Sequence, residues 1–209
     1  MDLLKIILSI AIMVNCANYV YANDFEAMVK ARSDEVVKGC DTFEEKARTL
    51  RQYVHDKMLL PDSRLKPDGT TLRPEDIYPL NTLQRVDCGW GGWCDQQVAV
   101  FMHFAQKQGI TTRMVFLFKK GSQNSCHTIT EALEGDRWVI VDPMFNLELI
   151  NHDGKMASRD DIANDFNIIR NPPTVKQLAK KEPRWENDEE WLKIYSNPVS
   201  IKFVLEGEK

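Results

Sequence analysis

The sequence predicts an α+β fold, with helices leading and an antiparallel sheet following. Three observations carry this. First, "DFEAMVKARSDEVVK" (24–38) and "TFEEKARTLRQYVHDK" (42–57) repeat their apolar residues at the helical period. Second, the run from Cys94 to about Gln108 does the same and stops at Gly109, the usual place for a helix-ending glycine. Third, the composition changes after Gly109, where "TTRMVFLFKK" (111–120), "CHTITEAL" (126–133) and "RWVIVD" (137–142) are rich in β-formers.

Each element has a local reason. Thr42 and Glu45 stand at capping-box spacing, and Phe43, Ala47, Leu50, Val54 and Met58 form the apolar stripe behind them. The segment 61–79 holds four prolines and the turn "PDGT", which predicts a loop. In the Cys94 helix the stripe is Val98, Phe101, Met102 and Ala105, beginning four residues after the cysteine. Gly135-Asp136 makes a two-residue hairpin turn between the second and third strands. Beyond it, "PMFNLELINHDGK" predicts a loop or short strand with an Asp-Gly turn, and Asp160 to Phe166 a short helix. "NPPT" breaks the chain, "VKQLAKK" and "NDEEWLKIYS" predict short helices, and "VSIKFVLEG" a final strand.

The chain has 209 residues, 43% hydrophobic and 28% charged, values that suit one globular domain rather than a disordered chain. Its net charge of −4 argues against nucleic acid as a partner, which would call for a basic face. The N-terminus "MDLLKIILSIAIMVNCANYVYA" has one lysine, an apolar stretch from Ile6 to Val14, and small-residue spacing at Val20-Tyr21-Ala22. It predicts a signal peptide cut after Ala22, hence a protein exported to the periplasm or secreted. The apolar stretch is short for a bilayer, so no membrane span is expected after cleavage. Residues 23–209 then form a single domain with a core of about 42–150 and a C-terminal extension, 151–209. Of five cysteines, Cys16 leaves with the leader, and Cys40, Cys88, Cys94 and Cys126 remain, with disulfides permitted by export.

The stretch "GWGGWCDQQVAVFMHFAQKQG" (89–109) sets the functional question. Cys94 opens its helix, where free backbone N–H groups and the positive dipole end favour a thiolate. Glycines 89, 91 and 92 allow a tight turn and close approach of a substrate. A small buried thiol is the competing reading. A nucleophile needs a base, and four histidines are available. His103 lies nine residues along the same helix, about 180° around from Cys94, and is expected to be a surface or packing residue. His55 and His152 have no obvious partner. His127 lies in a strand of the hairpin. With Gly135-Asp136 as the turn, Ile129 pairs with Asp142, and His127 and Asp142 become diagonal neighbours on one face. With Glu134-Gly135 as the turn, they face each other directly. In either register a carboxylate orients an imidazole. Cys94, His127 and Asp142 are thus nucleophile, base and orienter of a cysteine triad.

Gly92 to Cys94, Gly109-Ile110, His127 and the "W-x-x-V-D-P" run from Trp138 to Pro143 resemble the core of the transglutaminase-like superfamily. About 55 residues match well and about 100 loosely. The resemblance implies a papain-like α+β core, with N-terminal helices and a central Cys-bearing helix packed on an antiparallel sheet. It also implies catalytic roles for Cys94, His127 and Asp142. Papain itself fits less well, since its histidine lies far downstream. Cys126 is unexpected beside the histidine, but strand alternation turns it to the opposite face. For the oxyanion hole, the Cys94 N–H is the first donor, and Gln84, Trp90 or Trp93 are candidates for the second, Trp93 ranking lowest.

The leading expectation is an exported cysteine enzyme acting on an amide or ester carbonyl of a protein or peptide, by hydrolysis through a thioester. The alternatives are transfer to an amine (a protein-glutamine acyltransferase) and a silent binding module, the latter signalled by a Cys94–Cys88 disulfide. A metal site from Cys88, Cys94, Cys126 and His127 is disfavoured, because neighbouring strand residues face opposite ways and no Cys-x-x-Cys spacing exists. Without a phosphate loop, nucleotide fingerprint or calcium loop, no cofactor is expected.

Overall fold

The computed structural model describes residues 24–58, 81–87, 92–181 and 184–208. The signal-peptide segment, the 61–79 loop, Cys88, Gly89, Trp90 and Gly91 lie outside the described residues. Among the described residues four helices come first: α1 (24–36), α2 (Phe43–Lys57), α3 (Thr82–Asp87) and α4 (Cys94–Lys107). Three strands follow, β1 (Thr112–Leu117), β2 (His127–Glu134) and β3 (Arg137–Val141). Then come α5 (Arg159–Asn164), α6 (Asn167–Arg170), α7 (Pro173–Lys181), α8 (Arg184–Asn187) and α9 (Glu189–Lys193), before β4 (Val199–Leu205) closes the order.

The expected local signals operate. The Thr42 side chain accepts the Glu45 N–H at 3.2 Å, and the Glu45 carboxylate accepts the Thr42 N–H at 2.9 Å, so two first-turn donors are satisfied. Ala47, Leu50, Val54 and Met58 are all buried below this cap. α4 ends in Gly109 at φ 74°, a conformation that penalises any side chain carrying a Cβ. Pro173 opens α7 at the first helical position, where the N–H it lacks would have had no acceptor. The helix expected over "NDEEWLKIYS" is present in shortened form as α9, and the single turn of α8 precedes it. The Asp188 carboxylate accepts the Trp191 N–H at 2.9 Å, which starts a new helix and separates α9 from α8.

The strands form one antiparallel sheet in the order β3-β2-β1-β4. Its two faces carry different cores. Met114, Ala132, Val139 and Val141 pack against α1, α2 and α4, including Leu50, Val54, Val98, Phe101 and Phe104. Val115, Leu117, Ile129 and Ile140 pack instead against the C-terminal helices, with Ile162, Ile169, Val175, Trp185, Trp191 and Tyr195. Each fully buried aliphatic or aromatic side chain contributes about 1.5–3 kcal/mol relative to exposure, so both helical layers are integral to the fold. The α+β class and the Cys-bearing helix on an antiparallel sheet are as expected. The addition is a second helical layer, because α5–α9 cover the face that α4 leaves open.

Among the described residues no helix is long and apolar enough to cross a membrane. β4 forms the sheet edge and keeps Ile201, Phe203 and Val204 half-exposed.

Candidate active site

The site forms where the start of α4 meets the start of β2. Cys94 is the first residue of its helix, following Trp93 at the N-cap. The chain is held there by α2 and by α4 itself. Gly92 donates its N–H to the Met58 carbonyl at 3.1 Å. The Gln97 amide donates to the carbonyls of Met58 at 2.8 Å and Gly92 at 2.9 Å. A Cβ on Gly92 would sit 2.9 Å from the Met58 methyl and 3.3 Å from Gln96 Cβ, so a side chain there would push the end of Met58 aside.

His127 opens β2, and Asp142 follows the last residue of β3. The hairpin adopts the Gly135-Asp136 turn, with Glu134 opposite Arg137 and Thr130 opposite Val141. The regular ladder stops there, and Asp142 instead bridges to Leu147. His127 and Asp142 remain diagonal neighbours on the face of Ile129 and Ile140, and His127 Nε2 lies 2.7 Å from Asp142 Oδ2. With Nε2 committed to the carboxylate, Nδ1 is the ring nitrogen left to serve Cys94.

Cys94 is half-buried and a free thiol, close enough to His127 and Thr128 for both to act on its ionisation. Burial pushes its pKa up, but the hydrogen bond and charge of His127, with the Thr128 contacts, outweigh it. The thiol therefore sits below its ordinary value. Burial likewise works against a charged His127. Asp142 opposes this by charge and hydrogen bond, Cys94 adds to it, and the imidazole is pushed up to about 9. Burial raises the Asp142 pKa, yet His127, Tyr195 and the Phe145 N–H together hold it below the usual value. All three directions favour one charge state: thiolate, imidazolium and carboxylate.

Asp142 is completely buried and fully bonded. Oδ2 receives the Tyr195 hydroxyl at 2.6 Å in addition to His127, and Oδ1 receives the Phe145 N–H at 3.2 Å. The loop after Asp142 is clamped by α2. Arg51 donates to Asn146 Oδ1 at 2.8 Å and to the Leu147 carbonyl at 3.1 Å, and His55 Nδ1 meets the Pro143 and Met144 carbonyls at 3.0 and 3.1 Å. Aromatic rings enclose His127: Phe145 at 4.9 Å, Trp191 at 6.0 Å and Tyr195 at 6.2 Å between centroids.

The structure thus brings Cys94, His127 and Asp142 together. Gln84 is exposed on α3, where its side chain accepts the Asn81 N–H at 3.0 Å. Trp93 is half-buried and its N–H goes to Gln96 Oε1 at 2.6 Å. Trp90 is outside the described residues. His103 binds Thr82 and Glu26, away from the site. His55 and His152, for which sequence offered no partner, both have one; His152 Nε2 lies 2.8 Å from the Asp165 carboxylate. Among the described residues, no three His, Cys, Asp or Glu side chains converge to hold a metal. Thr128, Phe145, Trp191 and Tyr195 are the site's unanticipated members. The available signal for the last two was their size and apolarity in a highly charged tail, out of place unless buried.

The family model of the transglutaminase-like superfamily matches residues 30–143, just over half of the chain. A crystal structure of a candidate cysteine protease from Cytophaga hutchinsonii is similar over 57% of this chain and 37% of that one. Its identity is 11% and its TM-score 0.40, and this chain spans little more than a third of its length. No curated protein matches.

Proposed function

Because this chain belongs to the transglutaminase-like superfamily, we propose that it is a cysteine-dependent acyl-transfer enzyme hydrolysing a peptide or amide bond. One observation supports the reading above the rest: His127 is bonded to Asp142 through Nε2 while it also lowers the pKa of the neighbouring Cys94 thiol. In this reading Cys94 Sγ, as thiolate, attacks the carbonyl carbon. The electron pair of the C=O bond moves to oxygen, where the Cys94 N–H, free of an intrahelical acceptor, meets it. His127 gives its proton to the departing nitrogen as the C–N bond breaks, leaving a thioester on Cys94. The now neutral His127 takes a proton from water. The hydroxide oxygen attacks the thioester, the C–S bond breaks, and thiolate and imidazolium return. Asp142 keeps its charge throughout and stabilises the imidazolium.

The same reading takes the protein as exported, on the leader-like composition of residues 1–22. N-terminal sequencing of the cell-derived protein would then begin at Asn23.

The test of the chemistry is the alkylation rate of Cys94 against pH, in the wild-type protein and in His127→Ala. A poised pair predicts a rate already high below pH 6 that falls sharply in the variant. An ordinary thiol profile, unchanged by the substitution, would sink the proposal. Mass spectrometry of peptide products, with and without an added amine, separates hydrolysis from transfer.

A further inference from the structure

We propose that Tyr195, in the C-terminal segment beyond the matched family core, is a positioning residue that aligns and holds the charge of Asp142. This inference rests on the triad reading above and extends it. The Tyr195 hydroxyl donates to Asp142 Oδ2 at 2.6 Å, the same oxygen that His127 Nε2 contacts at 2.7 Å. Tyr195 and Asp142 are both fully buried, so bulk solvent does not reach that oxygen. A carboxylate in such a place must have its charge met by donors, and Asp142 has three: His127, Tyr195 and the Phe145 N–H. Of these, the Phe145 N–H holds Oδ1, so Tyr195 and His127 between them fix the other oxygen. Without the hydroxyl, Oδ2 is held only by the imidazole that it is meant to orient.

The tyrosine is itself anchored. Arg159 Nε donates to the Tyr195 carbonyl at 3.0 Å, and Asn197 donates to the Phe118 carbonyl at 3.1 Å, which ties the turn after α9 to α5 and to the end of β1. Trp185 and Trp191 pack beside the ring. The hydroxyl also cannot serve as a base, since burial and then Asp142 hold its pKa well above the ordinary tyrosine value. Its chemistry here is donation alone.

The consequence is specific. Removing the donor makes the Asp142 carboxylate easier to protonate, and a protonated Asp142 no longer supports the imidazolium that stabilises the Cys94 thiolate. The test is the pH profile of Cys94 alkylation in the full-length protein for wild type, Tyr195→Phe, Asp142→Asn and the double variant. Tyr195→Phe keeps the ring and its packing. We expect its acid limb to move to higher pH and its maximal rate to fall on the order of tenfold, the usual effect of losing a hydrogen bond to a charged group. In the Asp142→Asn background the same substitution should change little, because the hydroxyl acts through that carboxylate. A merely structural role would leave the acid limb in place in both backgrounds.

If wild type shows the poised profile and Tyr195→Phe matches it, the positioning role is overturned while the triad stands. If wild type itself shows an ordinary thiol, the triad reading has failed instead. Should Tyr195→Phe not fold, 3-fluorotyrosine at position 195 replaces it. A more acidic hydroxyl is expected to move the acid limb to lower pH, and an unmoved limb counts against the proposal.

Discussion

His127 and Asp142 meet across one hairpin, Nε2 to Oδ2 at 2.7 Å, although the ladder between their strands ends one pair earlier, at Thr130 and Val141. The contact has a thermodynamic signature. His127 is pushed up to about 9 from an ordinary 6.5, so its stabilisation is complete below about pH 6.5 and is lost as pH rises through about 9. Asp142 is held below its ordinary 3.8, so its contribution is present above that value and is lost as pH falls through the lower folded value. The gap in urea-unfolding stability between wild type and His127→Ala should be widest between about pH 4 and 6.5 and narrow on both sides. A gap that widened from pH 7 to 9 would contradict the pairing.

The two thiols near the site should part in their reactivity. Cys126 directly precedes β2 and is exposed. Burial of its sulfur raises its pKa despite the backbone contacts and charge of Lys119, whereas His127 and Thr128 bring Cys94 below the ordinary value. At pH 6 iodoacetamide should modify Cys94 at least about tenfold faster than Cys126, since the thiolate is the reacting form. Cys126→Ser should leave the Cys94 rate unchanged. Peptide mapping by mass spectrometry reads both rates at once, and faster labelling of Cys126 would refute the assignment.

Stability and reactivity should also separate by position. Thr42→Ala removes the α2 cap and should cost about 1 kcal/mol with no change in Cys94 alkylation. Gly92→Ala brings a methyl group to 2.9 Å from the Met58 methyl and 3.3 Å from Gln96 Cβ. It should cost about 1 kcal/mol, since the Met58 methyl ends a flexible side chain, and also slow Cys94, because this segment leads directly into the helix start. Urea unfolding and alkylation measured on both variants would show whether the glycine acts on the site or only on the fold.

The legible part of the site was that written in short-range rules. Gly135-Asp136 set the hairpin register, and alternation then placed His127 and Asp142 on one face. The stripe ending at Gly109 fixed the extent of α4 and put Cys94 at its start. Tyr195 was illegible because it reaches Asp142 from 53 residues away, through a layer of short helices whose docking no period or turn encodes. His55 was illegible for a related reason, since its partners are backbone carbonyls of Pro143 and Met144 on a distant loop. Even the break at Asp188 depended on whether its carboxylate capped Trp191 or faced solvent.

The second helical layer makes the last prediction. Trp185 is almost fully buried, and its ring meets Phe145 edge-on at 4.8 Å and Trp191 at 5.8 Å, behind the rings that enclose His127. Trp138 sits instead half-buried on β3 under the Arg113 guanidinium, 4.1 Å from ring centroid to charge. Trp185→Ala should therefore cost about 3–5 kcal/mol, the range for emptying an aromatic site in a core. Trp138→Ala, which loses a partly exposed cation–π contact, should cost roughly 1 kcal/mol. Trp185→Ala should also shift the Cys94 pH profile in the protein that remains folded, since Phe145 and Tyr195 both bond Asp142 and both pack against this ring. Equal costs for the two tryptophans, with an unmoved Cys94 profile, would mean that the C-terminal helices rest on the sheet without supporting the site.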